Sequence, residues 1–137
     1  MAKQVIFVPP DGLDIEDPSL QEIRLLIFER GADYWCGECG TAGFFYRDGE
    51  LEAQLVLVFC ENHGFHLTYI TIDEQKVLRK DNKRADVLEV YVGGEPTNLP
   101  INEFADLETT WSAVRVFIAS GKMNEKLNWV EQSYVDG

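Results

Sequence analysis

The sequence predicts an α+β domain, a mostly antiparallel sheet with two principal helices packed on it. Three observations lead there. Residues 51–72 form two apolar, β-prone arms around Glu61-Asn62-His63-Gly64, a short Asn/Gly break of the kind that turns a hairpin. Two other stretches, one from Leu20 and one from Leu107, repeat apolar residues at helical spacing. The order is strand, helix, a run of strands, helix, strand, which suits helices laid on one sheet. With 137 residues and 45% hydrophobic content, the chain makes one domain, 1–137, with core enough to need no staples.

Taken in order, Lys3 to Val8 reads as a first strand ended by Pro9-Pro10-Asp11-Gly12. Asp17-Pro18 follows as a helix start, Asp17 as N-cap and Pro18 in the first helical position. Leu20, Ile23, Leu26 and Ile27 then mark the buried face of a helix, and Gly31 is its expected stop. Tyr34 to Gly43 has no clear period. Gly43 to Arg47 reads as a strand, and Asp48-Gly49 as a turn into the central hairpin.

The first hairpin arm is nearly continuous from Leu55 to Phe59, as expected of a central strand covered on both faces. In the second arm Phe65, Leu67 and Tyr69 alternate with His66, Thr68 and Ile70. Asp73 to Lys83 reads as a polar excursion. Val87 to Val92 makes another strand, broken by Gly93-Gly94-Glu95-Pro96, with an extended piece to Leu99-Pro100. Leu107, Trp111, Val114, Phe117 and Ile118 lie on one face of the second helix, with Asp106 as N-cap and Gly121 as stop. Leu127 to Val130 reads as a short final strand.

Charge is the least ordinary property. Twenty-four acidic against twelve basic residues give a net charge of -12, and acids exceed bases in the N-terminal, middle and C-terminal thirds alike. Such a surface repels nucleic-acid phosphates and anionic lipid, and attracts a basic partner quickly and salt-sensitively. Solubility alone is the plainer use of the same charge. The N-terminal apolar run Val5 to Val8 is too short for a secretory leader, and no apolar run approaches a membrane span. These features, with three cysteines, point to free thiols in a reducing cytoplasm.

Cys36-Gly37-Glu38-Cys39 and Cys60-Glu61-Asn62-His63 together match the spacing of a four-ligand zinc site. The alternative function is therefore a small zinc-stabilised protein-binding module using Cys36, Cys39, Cys60 and His63. Against it, Cys60 and His63 belong to a hairpin end, and the Cys36 loop must fold back to meet them. A thioredoxin-type reading of Cys36 and Cys39 lacks the helix that lowers the thiol pKa. No P-loop, GxGxxG, GxSxG or HExxH occurs, and nothing designates a catalytic group or a cofactor. Trp111 reads as core, whereas Trp35, in a loop, reads as core or as an interface anchor.

The helix Trp111-Ser112-Ala113-Val114-Arg115-Val116-Phe117-Ile118 runs into Ser120-Gly121-Lys122 and then Leu127-Asn128-Trp129-Val130-Glu131. This resembles the C-terminal signature of the Imm1 family of bacterial immunity proteins. Glu61 to Tyr69 and Val90-Tyr91-Val92-Gly93-Gly94 resemble that family's central hairpin and following strand. The resemblance implies an α+β protein, encoded beside a polymorphic toxin with a nucleic-acid deaminase domain, that binds its toxin and blocks it. It implies no enzyme activity, no catalytic residue and no cofactor. Any zinc in the complex would belong to the deaminase.

A deaminase needs a basic substrate groove, which an acidic monomer can occupy as a charge mimic. The expected contacts are on hairpin tips and nearby loops: Asp48, Glu50, Glu61, Asn62, His63, Asp73, Glu74 and Glu95, with Trp35 or Tyr69 as aromatic anchors.

Overall fold

The computed structural model describes residues 3–36, 41–81, 86–92 and 94–131. The α+β expectation holds. Its main sheet is antiparallel throughout, with strand order β10-β6-β5-β4-β3-β1-β2. In chain order these strands are β1 (Gln4–Val8), β2 (Ile15–Glu16), β3 (Thr41–Asp48), β4 (Leu51–Cys60), β5 (Gly64–Ile70), β6 (Gln75–Leu78) and β10 (Trp129–Glu131). A two-residue strand, β9 (Phe104–Ala105), extends the sheet beside the start of β5. A separate hairpin joins β7 (Val87–Val92) to β8 (Glu95–Pro100).

Strand periodicity divides the sheet into two faces. The register puts Phe7, Phe44, Leu55 and Tyr69 on one of them, and Ile6, Phe45, Gln54 and Ile70 on the other. The first face carries the helices α1 (Leu20–Glu29) and α3 (Leu107–Ser120). Ile23 and Ile27 of α1 and Val114 and Phe117 of α3 are fully enclosed there. Each such side chain contributes about 1.5–3 kcal/mol by leaving water. Phe7 stacks on Phe44 at 4.8 Å, and Phe117 meets the edges of Tyr46 and Tyr69.

Among the described residues, the second face is covered over only half its length. Val58 and Phe104 there pack against Val90, with Leu88, Val92 and Leu99 around them, so the β7–β8 hairpin lies over the end of β4 that carries Val58 and Cys60. At the other end of the same face no element among the described residues covers Phe45, which is 44% exposed. The expectation of a strand buried on both sides therefore holds for only part of β4.

The ends of the elements depart from expectation for local reasons. Ser19, not Asp17, caps α1: its hydroxyl accepts from the Glu22 N–H. Asp17 is taken by β1, its carboxylate accepting from the Val5 N–H and its own N–H donating to the Val5 carbonyl. The helix ends at Glu29 with extended Arg30 as its cap, and Gly31 instead starts a short turn of helix, α2 (Ala32–Trp35).

The polar excursion after Ile72 contains a strand, β6, because Val77 and Leu78 are buried between β5 and β10. The extended piece before Pro100 is β8, the partner of β7. The last strand lies slightly later than expected, at Trp129–Glu131. For α3, Asp106 and Gly121 act as read: Asp106 accepts from the Thr109 N–H at 2.8 Å, and Gly121 takes the left-handed conformation with φ 71°. No helix among the described residues is long and apolar enough to cross a membrane.

Candidate partner-binding surface

The strand register distributes the candidate contacts between two ends of the sheet. The β3–β4 turn carries Asp48 and Glu50, and the β5–β6 turn carries Asp73 and Glu74. Pairing of Gln54 with Ile70 puts both turns at one end. The β4–β5 turn, with Glu61, Asn62 and His63, is at the opposite end of the ten-residue β4. At the rise of a strand the two ends are roughly 30 Å apart. Glu95 is exposed at the start of β8, on the separate hairpin. These acids do not form one patch.

The two proposed anchors need correction. Trp35 is 1% exposed, its ring edge-on to Phe65 and its indole N–H donating to the Leu26 carbonyl. Tyr69 is 4% exposed, and its hydroxyl donates to the Gly121 carbonyl at 2.8 Å. Both are core side chains, so neither offers a ring to a partner. The α2 turn packs against β4 and buries Trp35, although its stretch of sequence has no readable period.

The acidic end has a feature the sequence reading missed. A groove of about 560 Å³ lies on the uncovered half of the second face, floored by Ile6, Phe45, Gln54 and Ile70 and bordered by Glu50, Glu52 and Ile72. Ile72 is 98% exposed. Its turn is held by hydrogen bonds: the Thr71 N–H donates to the Glu74 carbonyl, and the Thr71 hydroxyl accepts from the Asp73 and Glu74 N–H groups. The signal was available in the chain. Phe45 lies between Phe44 and Tyr46, so period-two alternation puts one of three consecutive aromatics on the far face.

Asp48, Glu50, Glu52, Asp73 and Glu74 gather at this end against Arg47 and Lys76. Arg47 pairs with Glu52 at 2.9 Å and Lys76 with Glu74 at 3.7 Å. Lys3 is directed to the helical face, where its ammonium donates to the Ile118 carbonyl. The excess here is negative.

A buried charge cluster was also missed. Glu103, in the 3-10 turn Ile101–Glu103, accepts from His66 Nε2 at 3.1 Å and from Arg79 at 2.6 Å. Burial would raise the Glu103 pKa, but the hydrogen bonds and charges of His66 and Arg79 outweigh it and hold the carboxyl below its usual range. His66 and Glu103 are 3% and 6% exposed, which closes them to a substrate. With Arg79 they clamp the turn before β9 onto β5 and onto the residue that follows β6. A smaller hollow of about 380 Å³ beside Arg79 is lined by Lys80, Lys126 and Asp106, charges of both signs.

Of the proposed zinc ligands, Cys36 lies at the end of α2 with its thiol 3.7 Å from the Phe59 carbonyl, and Cys60 ends β4. His63 sits with its ring 6.4 Å from that of Phe104, centre to centre, and Cys39 lies outside the described residues. Burial pushes the Cys36 and Cys60 thiols up, away from the thiolate that binds metal or attacks as a nucleophile. No group of three or more His, Cys, Asp or Glu side chains among the described residues is placed to hold a metal ion. Compared with protein-family models the chain matches none, and compared with curated proteins it matches none.

Proposed function

We propose that the chain is an immunity protein that binds a cognate bacterial toxin, a nucleic-acid deaminase, and neutralises it by stoichiometric occlusion of its basic substrate groove. The observation that carries this reading is the gathering of Asp48, Glu50, Glu52, Asp73 and Glu74 at one end of a sheet in a chain of net charge -12. The backbone that carries these carboxylates is set by paired strands and a hydrogen-bonded turn before binding, so association costs less entropy than recruiting a flexible acidic tail. They engage the lysines and arginines that would otherwise hold phosphates. The Imm1-like pattern of the C-terminal helix and strand supports the same reading. The chain acts as a monomer in the cytoplasm of the producing cell, by binding and without turnover.

Titrating the purified toxin with this chain tests the proposal. Residual toxin activity should fall linearly and vanish at one equivalent. The association rate should drop at least tenfold between low and physiological salt, because long-range attraction is screened. Neutralisation by a small fraction of an equivalent would mean turnover and refute the binding mechanism.

A further inference from the structure

We infer that the groove floored by Phe45 and Ile70 is the docking site for a segment of a partner protein in which arginine alternates with bulky apolar side chains. The inference rests on the binding function proposed above and specifies where contact is made and with what chemistry.

Four observations carry it. The β7–β8 hairpin covers one half of the second sheet face and leaves the other as a hollow of about 560 Å³. Within this hollow Phe45 and Ile72 are 44% and 98% exposed, side by side with half-buried Ile6 and Ile70. Adjoining exposed apolar groups of this kind mark contact surfaces more often than scattered ones do. Ile72 is presented by a turn closed through Thr71, with one backbone hydrogen bond to Glu74 and two more accepted by the Thr71 hydroxyl. The border carries an excess of acid: Glu50 and Glu52 line the hollow together with one cation, Arg47, and Asp48 and Asp73 lie beside it.

Charge selects among occupants. A second copy would bring another net charge of -12 to this face and be repelled. A purely apolar segment would fill the floor but bring no counter-charge to Glu50, since Arg47 serves only Glu52. A purely basic one would leave Phe45 and Ile72 in water. An arginine can do both, its guanidinium lying over the Phe45 ring and its fork meeting the Glu50 or Glu52 carboxylate. A neighbouring apolar side chain then covers Ile70 and Ile72. Engaging Glu52 requires displacing Arg47, whose pairing with it is exposed and therefore weak.

The test uses the full chain, labelled with ¹⁵N, titrated with a hexapeptide of alternating arginine and tryptophan. Hexapeptides of arginine with serine and of glutamate with tryptophan serve as controls. Saturable shifts at Phe45, Glu52, Ile70 and Ile72, with at least tenfold weaker binding of both controls, are expected. Ile72→Arg should weaken binding at least tenfold without altering thermal stability, because the side chain is almost wholly exposed. Phe45→Ser should act likewise, its folding checked by the same spectrum.

Shifts spread equally over Glu61 and Glu95, or equal binding of the arginine–serine peptide, would overturn the inference in favour of diffuse charge attraction. A dimer of the free chain that Ile72→Arg dissolves would overturn it in favour of self-association. Capture of the cognate toxin that Ile72→Arg leaves undiminished would also overturn it, while the immunity reading stood. Peptide binding at the groove without capture of any toxin would uphold the groove and remove the immunity reading.

Discussion

Replacing Glu103 by glutamine isolates the energetics of the buried charge cluster. The substitution keeps the shape of the side chain and one carbonyl oxygen, but removes the negative charge and turns an N–H₂ group toward one of two donors. In the native chain one carboxylate oxygen meets His66 at 3.1 Å and the other meets Arg79 at 2.6 Å and 3.2 Å. One of these partners must lose its acceptor. Hydrogen bonds to charged groups are worth about 1.5–3 kcal/mol, and removing one member of a fully buried ion pair costs about 3–5 kcal/mol. Arg79 retains 23% side-chain exposure and recovers some hydration, so the lower part of these ranges applies. We expect a loss of about 2–3 kcal/mol at pH 7, or roughly 7–10 °C in Tm for a chain of this size. Urea and thermal unfolding followed by circular dichroism measure it.

The pH dependence supplies an independent check on Glu103. Its folded pKa is depressed, so its contribution is fully present above the unfolded carboxyl value and is lost as pH falls through the folded one. The stability difference between wild type and Glu103→Gln should therefore be steady near neutrality and shrink in acid, below about pH 4.5. A difference under about 0.5 kcal/mol at pH 7, or one that persists unchanged at the lowest pH where both fold, would refute the reasoning.

Gly64→Ala should be severe: with φ 100° an added Cβ would collide with the Ala105 carbonyl, a backbone group that cannot swing aside. A loss of at least about 2 kcal/mol in urea unfolding is expected, because strained conformation and clash act together. Asp106→Ala should cost about 1 kcal/mol through loss of the α3 cap. The backbone hydrogen bond from Thr109 lowers the Asp106 pKa, so this cost too should fade in acid, as wild-type and variant unfolding compared across pH will show. Tyr69→Phe should cost about 1 kcal/mol, for a buried hydrogen bond to Gly121, and leave toxin capture unchanged. A large loss of capture with little loss of stability would restore Tyr69 as a contact.

The architecture was legible where one residue pattern had one structural outcome. The central hairpin, the apolar face of α3 and its Asp106 and Gly121 ends all follow from local chemistry. Errors arose where tertiary structure chose between local options. Asp17 could cap a helix or bond to a neighbouring strand, and β1 claimed it while Ser19 capped α1. Trp35 and Tyr69 are chemically suited to an interface, but sequence does not say which aromatic rings the sheet and helices enclose. The cluster of Glu103 with His66 and Arg79 joins residues 24 and 37 positions apart and has no local signature. The groove depends on how much of a sheet face the β7–β8 hairpin covers, a tertiary fact. Its aromatic floor was still foreshadowed by Phe45 in the outward phase of β3.

The most direct test of the immunity account is co-expression of this chain with the polypeptide encoded immediately beside it, followed by affinity capture and measurement of growth. The account predicts a one-to-one complex and restored growth of cells that the neighbouring polypeptide alone arrests. A neighbour that is toxic on its own, yet is neither captured nor silenced by this chain, would contradict it.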